Sequence, residues 1–354
     1  IVSADVPSGL SKYDQKSEAV RADITVTMSI KKFDSLFYCG REFSGKILTA
    51  DIGISENEFT KYNLNRIFET EEADVKKLLT ARKINSNKYT NGKTLVIAGS
   101  KGLTGAAYLS SLSAMRAGSG AVITAVPESV NDILEIKMTE VMTMPLSETE
   151  ECTLNMNAYE KIREKIIWAD CVLIGPGLSK NAETMELVRH IVKNNDANYV
   201  IDADGLYAFK DHLRLLMNKN VILTPHFGEF AGMTGMNLRE LINSFYYAGK
   251  EFAKKYKVTL VLKNSPTVIT DGNDFIINPA GKENLATAGS GDVLSGITAG
   301  LYSVTGKAKE SSVAAAYIHG KCGDILYEKS GSSSTLAGDL INEIAFVKNK
   351  IFSA

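Results

Sequence analysis

The chain has 354 residues, of which 44% are hydrophobic and 23% charged, with 40 basic against 41 acidic side chains and a net charge of −1. That balance removes the electrostatic case for nucleic acid or an anionic membrane as partner, and no apolar run approaches the roughly 18 residues of a membrane-spanning helix. The length accommodates one large domain and part of another. Cys39, Cys152, Cys171 and Cys322 lie far apart without metal-ligand spacing, which predicts free thiols in a reducing cytoplasm. The chain opens on Ile1, inside a strand-like run with neither initiator Met nor signal peptide, and is expected to begin mid-domain.

Residues 1–58 carry strand-like pieces at 1–5, 23–28 and 47–51, separated by turns such as Pro7-Ser8-Gly9. A polar stretch from Glu56 to Lys93 follows, with a helical segment around residues 71–83, and a domain boundary is placed near residue 60. From Thr94 the rhythm becomes strand, glycine-rich turn, helix. Strands are expected at 94–98, 121–126, 171–174, 199–202, 221–223 and 259–262, each a short apolar or β-branched run. Continuously apolar strands alternating with helices predict an α/β fold with a mostly parallel sheet covered on both faces. The runs 266–270 and 274–278, joined through Asp271-Gly272-Asn273, predict an edge hairpin.

In such a sheet ligands gather at the carboxyl ends of the strands, where the punctuating residues fall. Gly99-Ser-Lys-Gly-Leu-Thr-Gly105-Ala106 lacks the Lys-Ser/Thr of a Walker A loop. It reads as a βα turn open to a substrate, before a helix expected to carry Leu109, Leu112 and Met115 on its inner side. Gly175-Pro176-Gly177 is either a tight turn or a ligand contact, and Asp202 and Asp204 either bind Mg²⁺ or cap the next helix. His226 has its backbone restricted by Pro225 and Gly228, which favours a substrate contact, while Glu229 either bonds locally or helps to hold metal. Lys263 heads either a phosphate-pairing loop or an ordinary charged turn. The run from Asn284 to Leu294 combines Gly289, Ser290 and Gly291, whose amides are able to approach an anion at a helix start, with Asp292 as a base for phosphoryl transfer. Its structural alternative is a glycine turn capped by Asp292.

Taken in order, Val96-Ile-Ala-Gly-Ser100 with Gly105-Ala106, Gly175-Pro-Gly177-Leu, Asp202-Ala-Asp-Gly205-Leu, Leu223-Thr-Pro-His226-x-Gly-Glu229, Val261-Leu-Lys263-x-x-x-Thr267 and Asn284-Leu-Ala-Thr-x-Gly-Ser-Gly-Asp292 resemble the ADP- or ATP-dependent NAD(P)H-hydrate dehydratases of the ribokinase-like superfamily. The resemblance covers residues 65–352. Upstream, Val2-Ser-Ala-Asp5-Val-Pro-Ser8-Gly9, Ala22-Asp-Ile-Thr-Val-Thr27 and Ala50-Asp51-Ile-Gly53 are similar to the end of an NAD(P)H-hydrate epimerase domain, covering residues 1–58. The resemblance implies dehydration of NADHX or NADPHX with hydrolysis of ADP or ATP, a Mg²⁺ cofactor with unassigned ligands, and a cytoplasmic homotetramer. It implies that Ala106, Gly177, His226 and Asp292 contact the hydrated dinucleotide, with Asp292 catalytic. The nucleotide would be held by Lys263, Asn264, Ser265, Pro266 and Thr267, and by Asn284, Leu285, Ala286, Thr287, Ala288, Gly289, Ser290 and Gly291. In the upstream part Asp5 would bind the epimerase substrate and Ser8 a potassium ion. Most of that domain, with its Asn-rich loop, is absent from the sequence, so epimerase activity by this chain alone is not expected.

The chain departs from the family pattern at Ala98, where Gly is usual, and at Leu103, where an aromatic is common. Ser179 stands in Gly-Leu-Ser for Gly-Leu-Gly, and Ala288 and Ser290 alter the usual Gly-Gly-Thr-Gly. These small changes predict altered packing rather than lost activity. The competing readings are a small-alcohol kinase, for a thiazole or a sugar, and a silent dinucleotide-binding protein.

Overall fold

The computed structural model describes residues 1–10, 18–61, 67–79 and 81–353. They form two compact units, Ile1–Phe68 with Asn237–Phe245 and Glu69–Met236 with Tyr246–Ala354. In the first unit β1 (Val2–Ala4), β2 (Ile24–Met28) and β3 (Lys46–Ala50) make a parallel sheet in the order β1-β2-β3. Asp5 follows β1 in the left-handed region, φ 66°. Its Oδ1 accepts from Lys32 Nζ at 2.6 Å, from the Met28 amide at 3.0 Å and from Thr27 Oγ1 at 3.3 Å. The hydrogen bonds from Lys32 and Met28 hold its carboxyl below the usual range. The Ser8 carbonyl accepts from the Val20 amide at 2.9 Å.

The second sheet has ten strands: β4 (Ile67–Glu69), β5 (Lys93–Ile97), β6 (Ala121–Pro127), β7 (Met142–Leu146), β8 (Cys171–Ile174), β9 (Asn198–Ile201), β10 (Asn220–Leu223), β11 (Thr259–Leu262), β12 (Thr267–Thr270) and β13 (Phe275–Asn278). Their order is β4-β13-β12-β11-β10-β9-β8-β5-β6-β7. Strands β5 to β11 are parallel, and β11-β12-β13 form the expected antiparallel hairpin edge. All seven residues of β6 and all four of β8 are buried, as a parallel sheet covered on both faces requires. From β5 the chain winds one way to β6 and β7, then returns to β8 on the other side of β5. The order therefore reverses between β5 and β8, and their two carboxyl ends mark the switch point where such sheets bind ligands.

Three elements differ from expectation. The short strand β4, beside β13 at one end of the sheet, falls in the stretch read only as polar with a helical segment. Strand β7 was not anticipated because Met142-Thr-Met-Pro-Leu146 has neither a continuous apolar run nor clean alternation, and only Leu146 is fully buried. A proline is tolerated there because β7 is an edge strand. The helix expected over 71–83 runs only over Glu72–Leu78, with Leu79 extended.

The helix after β5, Thr104–Ala117, also turns a different face inward. Ala107, Ser110, Ser111, Ser113, Ala114 and Ala117 are its buried residues, while Leu109, Leu112 and Met115 lie at the core margin. The reason is its neighbour, the helix Ser290–Thr305, which carries glycines at the contact. A side-chain carbon built on Gly296 would sit 2.2 Å from the Ser110 carbonyl oxygen, and one on Gly300 2.4 Å from that of Ala114. Small residues on both helices permit this approach. The buried serines satisfy their hydroxyls locally, Ser110 on the Ala106 carbonyl at 2.8 Å and Ser113 on that of Leu109 at 2.6 Å. A bulkier residue must push the helices apart. Gly296→Leu is expected to cost about 3 kcal/mol, read as a lower denaturant midpoint.

Candidate active site

The strand ends are tied to one another across the sheet. After β5, the Gly99 amide donates to the Pro176 carbonyl at 2.8 Å and Ser100 Oγ to that of Gly177 at 2.9 Å. Gly177 has φ 62°, and a side-chain carbon there would meet the Leu103 carbonyl oxygen at 2.8 Å and Ala106 Cβ at 3.0 Å. Ala106 and Gly177, far apart in sequence, thus share one surface. After β8, the Gly175 backbone passes so close to the Asp202 carbonyl that no larger residue fits, and the Ser179 amide donates to Asp204 Oδ2 at 2.9 Å. After β10 and β11, the Lys263 amide donates to the Pro225 carbonyl at 2.8 Å.

Lys263 closes the chain of contacts. Its Nζ lies 2.7 Å from Asp202 Oδ1 and 3.6 Å from Glu229 Oε2, and 3.4 Å from where a Gly291 side-chain carbon would be. Burial alone would lower its pKa, but the charges of Asp202 and Glu229 outweigh that and hold it above the ordinary lysine value. Asp202 is 1% exposed and is held as the lysine's counter-ion. Asp204 opens the short helix Asp204–Tyr207. Among the described residues no three His, Cys, Asp or Glu side chains converge on a metal position.

His226 caps the helix Phe227–Thr234 in a reciprocal box: the Glu229 amide donates to His226 Nδ1 at 3.1 Å, and the His226 amide to Glu229 Oε2 at 2.8 Å. Nδ1 is therefore an acceptor, and in the neutral ring the proton sits on Nε2. The ring remains 59% exposed, with Nε2 3.6 Å from Glu229 Oε1. Capping leaves an open ring edge for a substrate contact.

Asp292 stands in the first turn of the helix Ser290–Thr305, after Gly289 at φ 87°. A helix start favours the carboxylate, but burial first, and then the charges of Asp202, Asp204 and Glu229, outweigh both that and Lys263, pushing the carboxyl up to about 7. It is poised to take a proton near neutral pH. Sequence reasoning missed its support. His319, on the helix Ala308–Ser330, lies with Nε2 3.1 Å from Ser290 Oγ. Burial, aided by Lys263, pushes it down to about 4, so a neutral ring steadies the loop. Its only sequence signal is a lone histidine in a small-residue helical run.

Two polar atoms in the expected nucleotide segments are buried with no hydrogen-bond partner among the described residues, Asn264 Nδ2 and Asn284 Oδ1. Asn284 Nδ2 is satisfied by the Gly323 carbonyl and Thr335 Oγ1, each at 2.9 Å. Thr267 Oγ1 donates to the Asn264 carbonyl at 3.2 Å. Leu285 ends the short helix Glu283–Leu285, and Ala286, Thr287 and Ala288 lead from it into Gly289.

Two predictions follow from this geometry. Ser179 occupies the left-handed region, φ 65°, where a non-glycine residue costs about 1 kcal/mol; Ser179→Gly is expected to raise the unfolding free energy by about that amount in urea melts. Asp292 binds more protons folded than unfolded between its ordinary 3.8 and about 7, so its contribution to stability falls as pH rises through that window. Asp292→Asn is therefore expected to have the higher Tm at pH 8, with the difference fading by pH 4.

Residues 94–345 match the family model described as NAD(P)H-hydrate dehydratase. The chain is 35% identical over 352 residues to the bifunctional NAD(P)H-hydrate repair enzyme of Moorella thermoacetica, an alignment covering 98% of this chain and 66% of that protein. It is 35% identical over 277 residues to the ADP-dependent (S)-NAD(P)H-hydrate dehydratase of Nitrosopumilus maritimus, covering 77% and 94% respectively. The crystal structure of the ADP/ATP-dependent NAD(P)H-hydrate dehydratase from Bacillus subtilis, co-crystallized with ATP and Mg²⁺, matches with a TM-score of 0.70 at 30% identity, covering 81% of this chain and 99% of that one. The ribokinase-like fold that the motifs implied is the fold observed. The chain spans about two thirds of the length of the bifunctional relatives it matches.

Proposed function

The chain belongs to the NAD(P)H-hydrate dehydratase family, and we propose that it restores NADH or NADPH from the hydrates by moving a phosphoryl group from ADP or ATP onto the added hydroxyl. The observation that carries this reading is Asp292, raised to about 7 at a glycine-flanked helix start beside the buried cation of Lys263. Asp292 takes the hydroxyl proton as the hydroxyl oxygen bonds to the terminal phosphorus. The bond from that phosphorus to the rest of the nucleotide breaks, leaving AMP from ADP or ADP from ATP. The carbon–oxygen bond then cleaves with its electron pair going to phosphate, the ring nitrogen's lone pair filling the gap. Loss of the neighbouring ring proton restores the double bond. Amides of Gly289 to Gly291 stabilise charge on the transferring group, and Ala106, Gly177 and the exposed ring of His226 orient the hydrated ring.

Lys263 to Thr267 and Asn284 to Gly291 are assigned to the nucleotide, and the two unpartnered atoms of Asn264 and Asn284 support that assignment because a bound purine nucleotide offers both donors and acceptors. Mg²⁺ supplies charge neutralisation to the phosphates. Asp204 engages one carboxylate oxygen with the Ser179 amide, keeping the other for the ion or its waters, and Glu229, held by His226 and Lys263, adds negative charge nearby. Such a site suits Mg²⁺, which keeps several waters and shares its shell with nucleotide phosphates. Residues 1–58 are read as the end of an epimerase domain, with Asp5 as its substrate acid and Ser8 as a potassium ligand. The ionised, triply hydrogen-bonded Asp5 supports that role. The same reading makes the protein a cytoplasmic homotetramer.

The test is to incubate the protein with NADHX, Mg²⁺ and ADP or ATP, following absorbance at the reduced-nicotinamide band together with phosphate release. One NADH per phosphate is expected, and Asp292→Ala is expected to lower kcat by about 10³-fold or more while the dinucleotide still binds. Near-normal turnover in that variant would remove the base assignment. A stable phosphoester without NADH would instead mark a kinase.

A further inference from the structure

At the His226–Glu229 cap lies a cavity of about 390 Å³, within the size range of small-ligand sites. Its lining mixes two chemistries. Asp204 and Glu229 line it with His226, and both carboxylates raise the pKa of Asp292. Lys180 and Lys210 bring two cations to the same cavity, with Tyr207 between them in sequence. Among the described residues neither lysine is ion-paired with a carboxylate, and Lys180 Nζ rests 5.1 Å from the centre of the Tyr207 ring. Tyr207 is 48% exposed, so the ring steers the ammonium without covering it.

Both lysines stand on fixed turns. Lys180 follows Ser179, whose amide is tied to Asp204. The Lys210 amide donates to the Tyr207 carbonyl at 3.2 Å, and Arg189 donates to the adjoining Ala208 carbonyl at the same distance.

We propose that Lys180 and Lys210 hold the pyrophosphate of the hydrated dinucleotide, which makes this cavity the subsite for the substrate beyond its reacting ring. The inference rests on the dehydratase reading and adds to it a charge logic. The hydrated nicotinamide ring carries no charge and sits without penalty among Asp292, Asp204 and Glu229. A pyrophosphate is repelled from those carboxylates and drawn to the two ammonium groups. One substrate thus places a neutral group and an anionic group where the cavity's own charges want them, which sets its direction of binding. ADP and ATP carry the same phosphate chemistry, so the kinetic constants for the two substrates must separate them.

The test uses the full chain and NADHX, which has a pyrophosphate and no further phosphate, with Lys180→Gln, Lys210→Gln and the double variant. These exposed substitutions keep the side-chain stems. The double variant is expected to raise KM for NADHX about tenfold, with kcat and the KM for ADP or ATP within about twofold of wild type. Unchanged KM for NADHX in an active protein overturns the subsite alone, and so does a rise confined to the KM for ADP or ATP. A wild-type protein that fails to turn over NADHX overturns the dehydratase reading and the subsite with it.

Discussion

The ion pair between Lys263 and Asp202 is the constraint on which the site depends. It joins the ends of β11 and β9, two strands that are not neighbours, across a separation of 61 residues. Burying either charge alone would cost several kcal/mol, so each is retained by the other. Their placement sets the electrostatics of everything nearby. The lysine brings a cation against Gly291, where transferred phosphate would lie, and it opposes the rise in the Asp292 pKa. Burial of the carboxyl drives that rise, and Asp202, Asp204 and Glu229 add to it. Asp292 lands near neutrality because the lysine offsets only part of what burial and its acidic neighbours impose.

Much of this arrangement was legible in the chain, for a definable reason. The sheet announced itself through short apolar strands, and the loops through glycine, proline and histidine at their ends. These signals are local, set by backbone freedom and burial within a few residues. The edge hairpin was legible through Asp271-Gly272-Asn273, and β8 and β11 were placed to the residue. Site residues named from motifs, such as Ala106 with Gly177, prove to share a surface.

What stayed hidden was pairing. Nothing near Asp202 says that its partner is Lys263, and nothing near Ser290 points to His319. The inward face of Thr104–Ala117 was misjudged for the same reason. Local hydrophobicity favoured Leu109, Leu112 and Met115, but the face is chosen by Gly296 and Gly300 on another helix. Strands β4 and β7 escaped because each closes one end of the sheet, lies mostly outside the buried core and carries no buried apolar run.

The lacing of the strand ends has a further meaning for how this protein tolerates change. The ties from Gly99 to Pro176 and from Lys263 to Pro225 run between backbone groups, and Ser100 reaches the Gly177 carbonyl. The shape presented to a ligand is thus drawn mainly by peptide planes and only lightly by side chains. Variation is cheap where a side chain turns away from these planes. It is dear at Gly175 and Gly177, where any side chain meets backbone, and at the atoms of Lys263, Asp202 and Asp292 that carry charge.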